Sequence, residues 1–262
     1  MEVIEKILNR LHREGVFKPL KRYAYIPYDL SMAMQVVEAI GKSRNQNFIL
    51  DDENWFAYEN LVRWVHGDPA MMCLDPETRQ PVPGRLDKGI YIAGNTGTGK
   101  SWALEIMSAY SSIDQIQVGF GNTYNGAEIR GCLQWSNVRT DTMCEEYAKE
   151  GTYDKYKQWR VLGIQDLGAE PVESLYMGNR VDVLRMILEY RGDRTDRITL
   201  ITSNLPIDHP KLIDRYGDRV ASRLIEMCNY FEIRGTDRRR VQNTTPRTTG
   251  GDGVSKAPAG KR

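Results

Sequence analysis

Gly94-Asn95-Thr96-Gly97-Thr98-Gly99-Lys100-Ser101 is the stretch whose reading decides the fold. It matches GxxxxGK[ST] in full. The apolar run Gly89 to Ala93 precedes it and reads as a strand, while Ala103, Leu104 and Met107 follow at helical spacing. Strand, glycine-rich turn and helix in that order make the match a P-loop. The glycines let the backbone wrap closely, so that successive N–H groups point at phosphate oxygens. The helix beginning near Lys100 adds its positive dipole end to the same anion. Lys100 is expected to reach the β- and γ-phosphates of ATP, and the Ser101 hydroxyl to ligand Mg²⁺.

Working outward, strands alternate with helices. Ile116 to Phe120 reads as a second strand, Arg160 to Ile164 as a third, Arg197 to Thr202 as a fourth and Tyr230 to Ile233 as a short fifth. Between them, Thr140 or Asp141 can cap a helix ending at Gly151, and Asn179 opens another carrying Val181, Leu184, Ile187 and Leu188. Strands joined by helical crossovers predict an α/β fold with a mostly parallel sheet covered on both faces. Upstream, three helices are expected: one carrying Val3, Ile4, Ile7, Leu8 and Leu11; one from about Asp29 to Gly41; and one bearing Trp55, Tyr58, Leu61, Val62 and Val65, stopping at Gly67. The aromatic stripe on the third reads as core before partner surface. The chain thus divides into an N-terminal helical region (1–85), an ATPase core (86–241) and a tail (242–262). After Val241 that tail has no large apolar residue except valine, which predicts disorder.

A P-loop needs an acid at the tip of a neighbouring strand to position Mg²⁺ and the attacking water. Asp166, ending Trp159-Arg160-Val161-Leu162-Gly163-Ile164-Gln165-Asp166, is the candidate, though it could instead cap the turn at Gly168. The fourth strand finishes in Thr202-Ser203-Asn204, small polar groups that suit a water- or γ-phosphate-sensing role. Asn204 is the first choice and Thr202 the second. Arg219 and Arg223 stand four apart and share one helix face. Either they form a solvated face with local salt bridges, or one is presented to a neighbouring subunit's γ-phosphate.

Composition narrows the classes. Among 262 residues, 40% are hydrophobic and the formal net charge is +1, which describes a globular chain with no bulk electrostatic pull toward nucleic acid. No apolar run approaches the roughly 20 residues needed to cross a bilayer, and the N-terminus lacks the order of a secretory signal. Cys73, Cys132, Cys144 and Cys228 are scattered without a CxxC pair, as reduced thiols of a cytoplasmic protein would be. His12, His66 and His209 are isolated and read as structural or surface residues. Basic residues collect at the C-terminal end: Arg234, Arg238, Arg239 and Arg240, then Arg247, Lys256, Lys261 and Arg262.

The motifs together form an ordered set: P-loop, strand-tip acid, Thr-Ser-Asn, then Gly217-Asp218-Arg219-Val220-Ala221-Ser222-Arg223-Leu224. From about Lys88 to Arg240 this resembles the AAA+ ATPases of the DnaC/IstB type, bacterial helicase loaders and ATP-dependent helpers of transposases. The resemblance implies a five-stranded parallel sheet in the order 5-1-4-3-2, with ATP bound between subunits and the C-terminal lid reduced or absent. It makes Asn204 the sensor-1 residue, Arg223 the arginine finger through which copies assemble (Arg219 nearby), and Arg238 or Arg239 a sensor-2 group. It also implies a replicative DNA helicase as partner of the N-terminal region and single-stranded DNA as the other. Arg139, Lys149 and the terminal basic cluster are the candidates for DNA contact.

One position departs from the pattern. Members carry two acids at the strand tip, and this chain has Gln165-Asp166. An amide can hold a metal-bound water but supplies no charge to the cation, so Asp166 is left to serve both roles and slow or conditional hydrolysis is expected. The competing readings are a transposase helper coating duplex DNA, a small-molecule P-loop kinase, and an ATP-gated scaffold without turnover.

Overall fold

The computed structural model describes residues 4, 6, 21–22, 25, 27–122, 127–235 and 237. Along the chain come β1 (Lys21–Arg22), helices α1 (Leu30–Arg44) and α2 (Trp55–His66), then short strands β2 (Met72–Leu74) and β3 (Pro81–Pro83). β4 (Gly89–Ala93) leads into α3 (Lys100–Ser111), followed by β5 (Gln117–Asn122), β6 (Glu128–Cys132) and β7 (Ser136–Arg139). Helices α4 (Thr140–Glu150) and α5 (Asp154–Gln158) precede β8 (Val161–Leu167). The hairpin of β9 (Ser174–Tyr176) and β10 (Asn179–Val181) then enters α6 (Val183–Gly192). Last come β11 (Ile198–Ser203), α7 (Pro210–Tyr216), α8 (Asp218–Met227) and β12 (Cys228–Glu232).

The main sheet has seven strands in the order β3-β2-β12-β4-β11-β8-β7. β12, β4, β11, β8 and β7 run parallel. Numbered by their place in the chain, these five stand in the order 5-1-4-3-2. β2 joins β12 antiparallel, and β3 joins β2, so the sheet carries two strands beyond the five expected. β4 and β11 are buried at every residue, as central strands covered on both faces must be.

Strand periodicity splits the core into two layers. Ile90, Ile92, Ile198 and Leu200 face one side, where they pack with Leu61, Val65, Leu104 and Met107 of α2 and α3. Tyr91, Leu162, Ile164 and Ile201 face the other, against Met143, Leu184, Leu188 and Leu224 of α4, α6 and α8. One buried cation ties the second layer together. The Arg191 guanidinium donates to Thr199 Oγ1 (2.9 Å) and to the carbonyls of Tyr156 (2.9 Å), Trp159 (2.6 Å) and Ile198 (2.6 Å). Burial pushes its pKa down to about 9.

Local chemistry explains most element ends. Asp29 caps α1 by accepting from Met32 N (3.1 Å), and α2 stops at Gly67, whose φ of 71° fits the left-handed cap. The predicted stop of α1 at Gly41 is overturned, since the helix continues to Arg44. Gly41 instead makes room for Phe48, whose ring would lie 2.2 Å from an added Cβ. The aromatic stripe of α2 is core at Tyr58 and Trp64 and exposed at Trp55. The predicted first helix lies outside the described residues, apart from Ile4 and Lys6, which are helical. The tail after Val241 lies outside them entirely.

Two further expectations are corrected. The segment Ile116 to Phe120 is not the second strand of the main sheet. β5 pairs antiparallel with β1 and β6 in a separate three-stranded sheet. The second parallel strand is β7, Ser-Asn-Val-Arg, an edge strand with one apolar residue that hydropathy passes over. Asn179 does not open a helix. It begins β10, and Asp182 caps α6 by accepting from Arg185 N (3.2 Å). Among the described residues no helix is long and apolar enough to cross a membrane, and no group of three or more His, Cys, Asp or Glu gathers as a metal cluster.

Candidate functional site

The carboxyl ends of β4, β8 and β11 open onto a cleft of about 630 Å³. Thr96, Gly97, Gly99, Lys100 and Ser101 form its floor, and Gln165, Asp166 and Asn204 its wall. This is the position where parallel α/β sheets bind ligands.

The loop's shape follows from its glycines. Gly97 and Gly99 take φ values of 84° and 96°, which residues with a Cβ rarely adopt. Gly99 is also the N-cap of α3, so the first free N–H groups of that helix face the cleft. At Gly94 a Cβ would lie 2.2 Å from the Ile233 carbonyl, and at Gly97 it would lie 2.0 Å from Asp237 Oδ1. Thr98 is buried, and its hydroxyl donates to the Asn95 carbonyl (2.9 Å), holding the turn. Lys100 is only 5% exposed. Its ammonium donates to Asn95 O (2.8 Å) and to Asn204 Oδ1 (2.9 Å). A buried ammonium at the floor of a glycine-built cradle is placed to meet an anion.

The strand-tip acid is positioned by a bulge. β11 pairs with β8 as Ile201 to Ile164 and then Ser203 to Leu167, so Gln165 and Asp166 together face Thr202. Asp166 sits at φ 63°, a left-handed conformation that costs about 1–2 kcal/mol for a residue with a Cβ. The neighbours hold it there. Asp166 N donates to Thr202 Oγ1 (3.1 Å), and Thr140 Oγ1 donates to the Asp166 carbonyl (3.1 Å). The effect of such a bulge is to re-aim a side chain, here into the cleft.

Thr202 and Ser203 are fully buried. Ser203 Oγ donates to the Leu167 carbonyl (2.7 Å) and accepts from Leu205 N (3.1 Å). Both residues therefore build the seam between β8 and β11, and of the three only Asn204 lines the cleft. Glu170 is structural in the same way. Its carboxylate accepts from Gly168 N (3.0 Å) and pairs with Arg215 (3.2 Å) and Tyr216. Burial first, and that carboxylate next, push the Tyr216 hydroxyl well above its ordinary range.

Arg139 ends β7 and lines the cleft. Its guanidinium lies 3.2 Å from Asp166 Oδ2 and is hydrogen-bonded to Asp141 (2.9 Å), whose bond is the main cause of its raised pKa. Arg219 and Arg223 stand away from this cleft. Both pair with Asp193 beyond the end of α6, and Arg223 also reaches Glu226 (3.5 Å). Arg238 and Arg239 lie outside the described residues.

Sequence reasoning missed Asn45, Trp102, Glu105 and Ala169, which also line the cleft. Glu105 was within reach of that reasoning, because it follows Ser101 by four residues on one helix face. The cleft's residues fit a triphosphate and a divalent cation: backbone amides and an ammonium for the anion, with the Ser101 hydroxyl and the carboxylates of Asp166 and Glu105 for the metal.

A P-loop after the first strand of a parallel 5-1-4-3-2 core defines the class as a P-loop α/β protein with the strand arrangement that the AAA+ resemblance implies. No protein-family model matches the sequence, and no curated protein matches it. Solved structures are similar to it, among them a primosome component, a replication initiator and a helicase loader. A protein described as a primosome component from Streptococcus pyogenes serotype M3 is 19% identical, with 73% of this chain and 85% of that one covered at a TM-score of 0.47. The replication initiator DnaA bound to AMPPCP and single-stranded DNA is 18% identical over 73% of this chain and 49% of its own, with a TM-score of 0.45. The DnaC helicase loader is 18% identical over 72% of this chain and 94% of its own, with a TM-score of 0.41. These are likenesses of fold.

Proposed function

We propose that the protein binds ATP with Mg²⁺ in this cleft and uses the bound state to assemble on single-stranded DNA as a loader of a replicative helicase. The observation that supports nucleotide binding is the convergence of the buried Lys100 ammonium, Asn204 and the strained Asp166 on one glycine-built cradle. In the proposed chemistry, Lys100 and the loop amides bind the β- and γ-phosphates, and Ser101 holds the metal. Asn204 would orient the attacking water and Asp166 would accept its proton as the water oxygen bonds to the γ-phosphorus and the β–γ bridging oxygen leaves with ADP. The bound cation supplies charge neutralisation at the phosphates. The loader role rests on the ordered motif set, including the Arg219/Arg223 segment, and not on the cleft alone.

The test is ATP turnover with and without single-stranded DNA, followed by copurification from the native host. Turnover stimulated by single strands, with a ring helicase recovered, supports the proposal. Filaments on duplex DNA would replace it with the transposase-helper reading. A neutral Gln165 at the strand tip favours a second reading, an ATP-gated scaffold with little hydrolysis. That reading is correct if ATP drives assembly while phosphate release stays at background.

A further inference from the structure

Gln165 occupies the place where a strand-tip acid would face the cation, and its own bonds show which end of the amide faces the cleft helix. Nε2 lies 3.3 Å from the Ser101 carbonyl and 3.1 Å from Glu105 Oε1. Both partners are acceptors, so only the NH₂ end of the amide can meet them. A carboxylate at position 165 would instead point its oxygens at a carbonyl and at another carboxylate. The neutral residue and the helix acid thus form a matched pair.

Glu105 itself is well placed. It sits one helical turn after Ser101, on the same face of α3, and lines the cleft beside Ser101 and Asp166. One of its oxygens accepts from Gln165, and the other pairs with Arg44 at the end of α1. Its side chain keeps 26% of its surface exposed, whereas Gln165 is buried.

We propose that Glu105 carries a second carboxylate, beside Asp166, that this cleft presents to the divalent cation, with Gln165 as the positioning residue that holds it. The inference rests on the nucleotide-binding reading above. With Gln165 neutral, the carboxylates that line the cleft are Asp166 on β8 and Glu105 on α3. Arg44 supplies the counter-charge that the carboxylate would otherwise lack in the absence of metal.

The experiment is an equilibrium titration of a fluorescent ATP analogue, once in Mg²⁺ and once in EDTA, on the full chain. Wild type is expected to bind in both and more tightly in Mg²⁺. Glu105→Gln should bind as wild type in EDTA and lose Mg²⁺ enhancement by about tenfold or more. The exchange variant Glu105→Gln with Gln165→Glu puts donor and carboxylate back in contact with their positions swapped, and should recover the enhancement. Gln165→Glu alone sets two carboxylates face to face and should impair it. Unchanged Mg²⁺ enhancement in Glu105→Gln overturns the proposal. So does an equal loss of affinity in Mg²⁺ and EDTA, which would make Glu105 a structural residue of α3. Wild type that binds nothing in EDTA or Mg²⁺ would remove the nucleotide site itself, a failure distinct from the other two.

Discussion

The Arg139 guanidinium at the end of β7 lies 3.2 Å from the carboxylate of Asp166 at the tip of β8. The guanidinium occupies an Asp166 oxygen that the attacking water would otherwise reach. Removing the cation should therefore raise basal turnover. Arg139→Ala is expected to increase ATP hydrolysis several-fold without DNA, with nucleotide affinity retained. Steady-state phosphate release measures it. A fall in kcat would mean instead that Arg139 works on the phosphates.

Lys100→Ala should abolish nucleotide binding while the chain stays folded. The substitution removes a buried cation that donates to Asn95 O and Asn204 Oδ1. Calorimetry with an ATP analogue and a thermal melt on the same sample separate the two effects. Intact affinity in a folded variant would remove the site assignment.

Asp166 carries backbone strain that glycine would not. Asp166→Gly relieves a φ of 63° and should stabilise the fold by about 1 kcal/mol, while hydrolysis is lost. The lost pair with Arg139, itself 56% exposed, offsets little of that gain. Urea unfolding is the measurement. A destabilised glycine variant would show that the Thr202 and Thr140 hydrogen bonds leave no strain to relieve.

Arg191 makes the opposite case, a group that serves packing and not the site. Arg191→Met keeps the apolar stem but strands the carbonyls of Tyr156, Trp159 and Ile198 together with the Thr199 hydroxyl. Each orphaned acceptor costs about 1 kcal/mol or more, so unfolding free energy should drop by about 4 kcal/mol. Chemical denaturation reads this directly, and a change under 1 kcal/mol would refute it.

Where sequence and structure agree, a single physical signal governed. The P-loop was legible because positive φ, a missing Cβ and a helix start all demand glycine at fixed spacing. The central strands β4 and β11 were legible because burial on both faces demands an unbroken apolar run. β7 was not, since an edge strand needs pairing more than hydrophobicity, and its four residues include one valine. β5 misled for the converse reason: Val118 and Phe120 are buried, but in the core beneath a separate small sheet. The roles of Thr202 and Arg139 depended on a bulge and on a register, neither of which leaves a compositional trace. Glu105 was hidden by its motif, because attention to Lys100 and Ser101 stops at the end of the consensus.

Arg223 poses the question of assembly. Within one chain its guanidinium pairs with Asp193 and Glu226, is 30% exposed, and lies outside the cleft. If it acts on a triphosphate, that triphosphate belongs to another copy, and the two defects must be separable by mixing. Arg223→Ala should bind ATP normally and hydrolyse it poorly, whereas Lys100→Ala cannot bind it. In a mixture, each Lys100→Ala chain can still offer its Arg223 to the loaded cleft of an Arg223→Ala neighbour. Turnover should therefore exceed that of either variant alone and depend on their ratio. A mixture that shows only the sum of its parts would mean that Arg223 serves the packing of α8 against α6 and nothing beyond it.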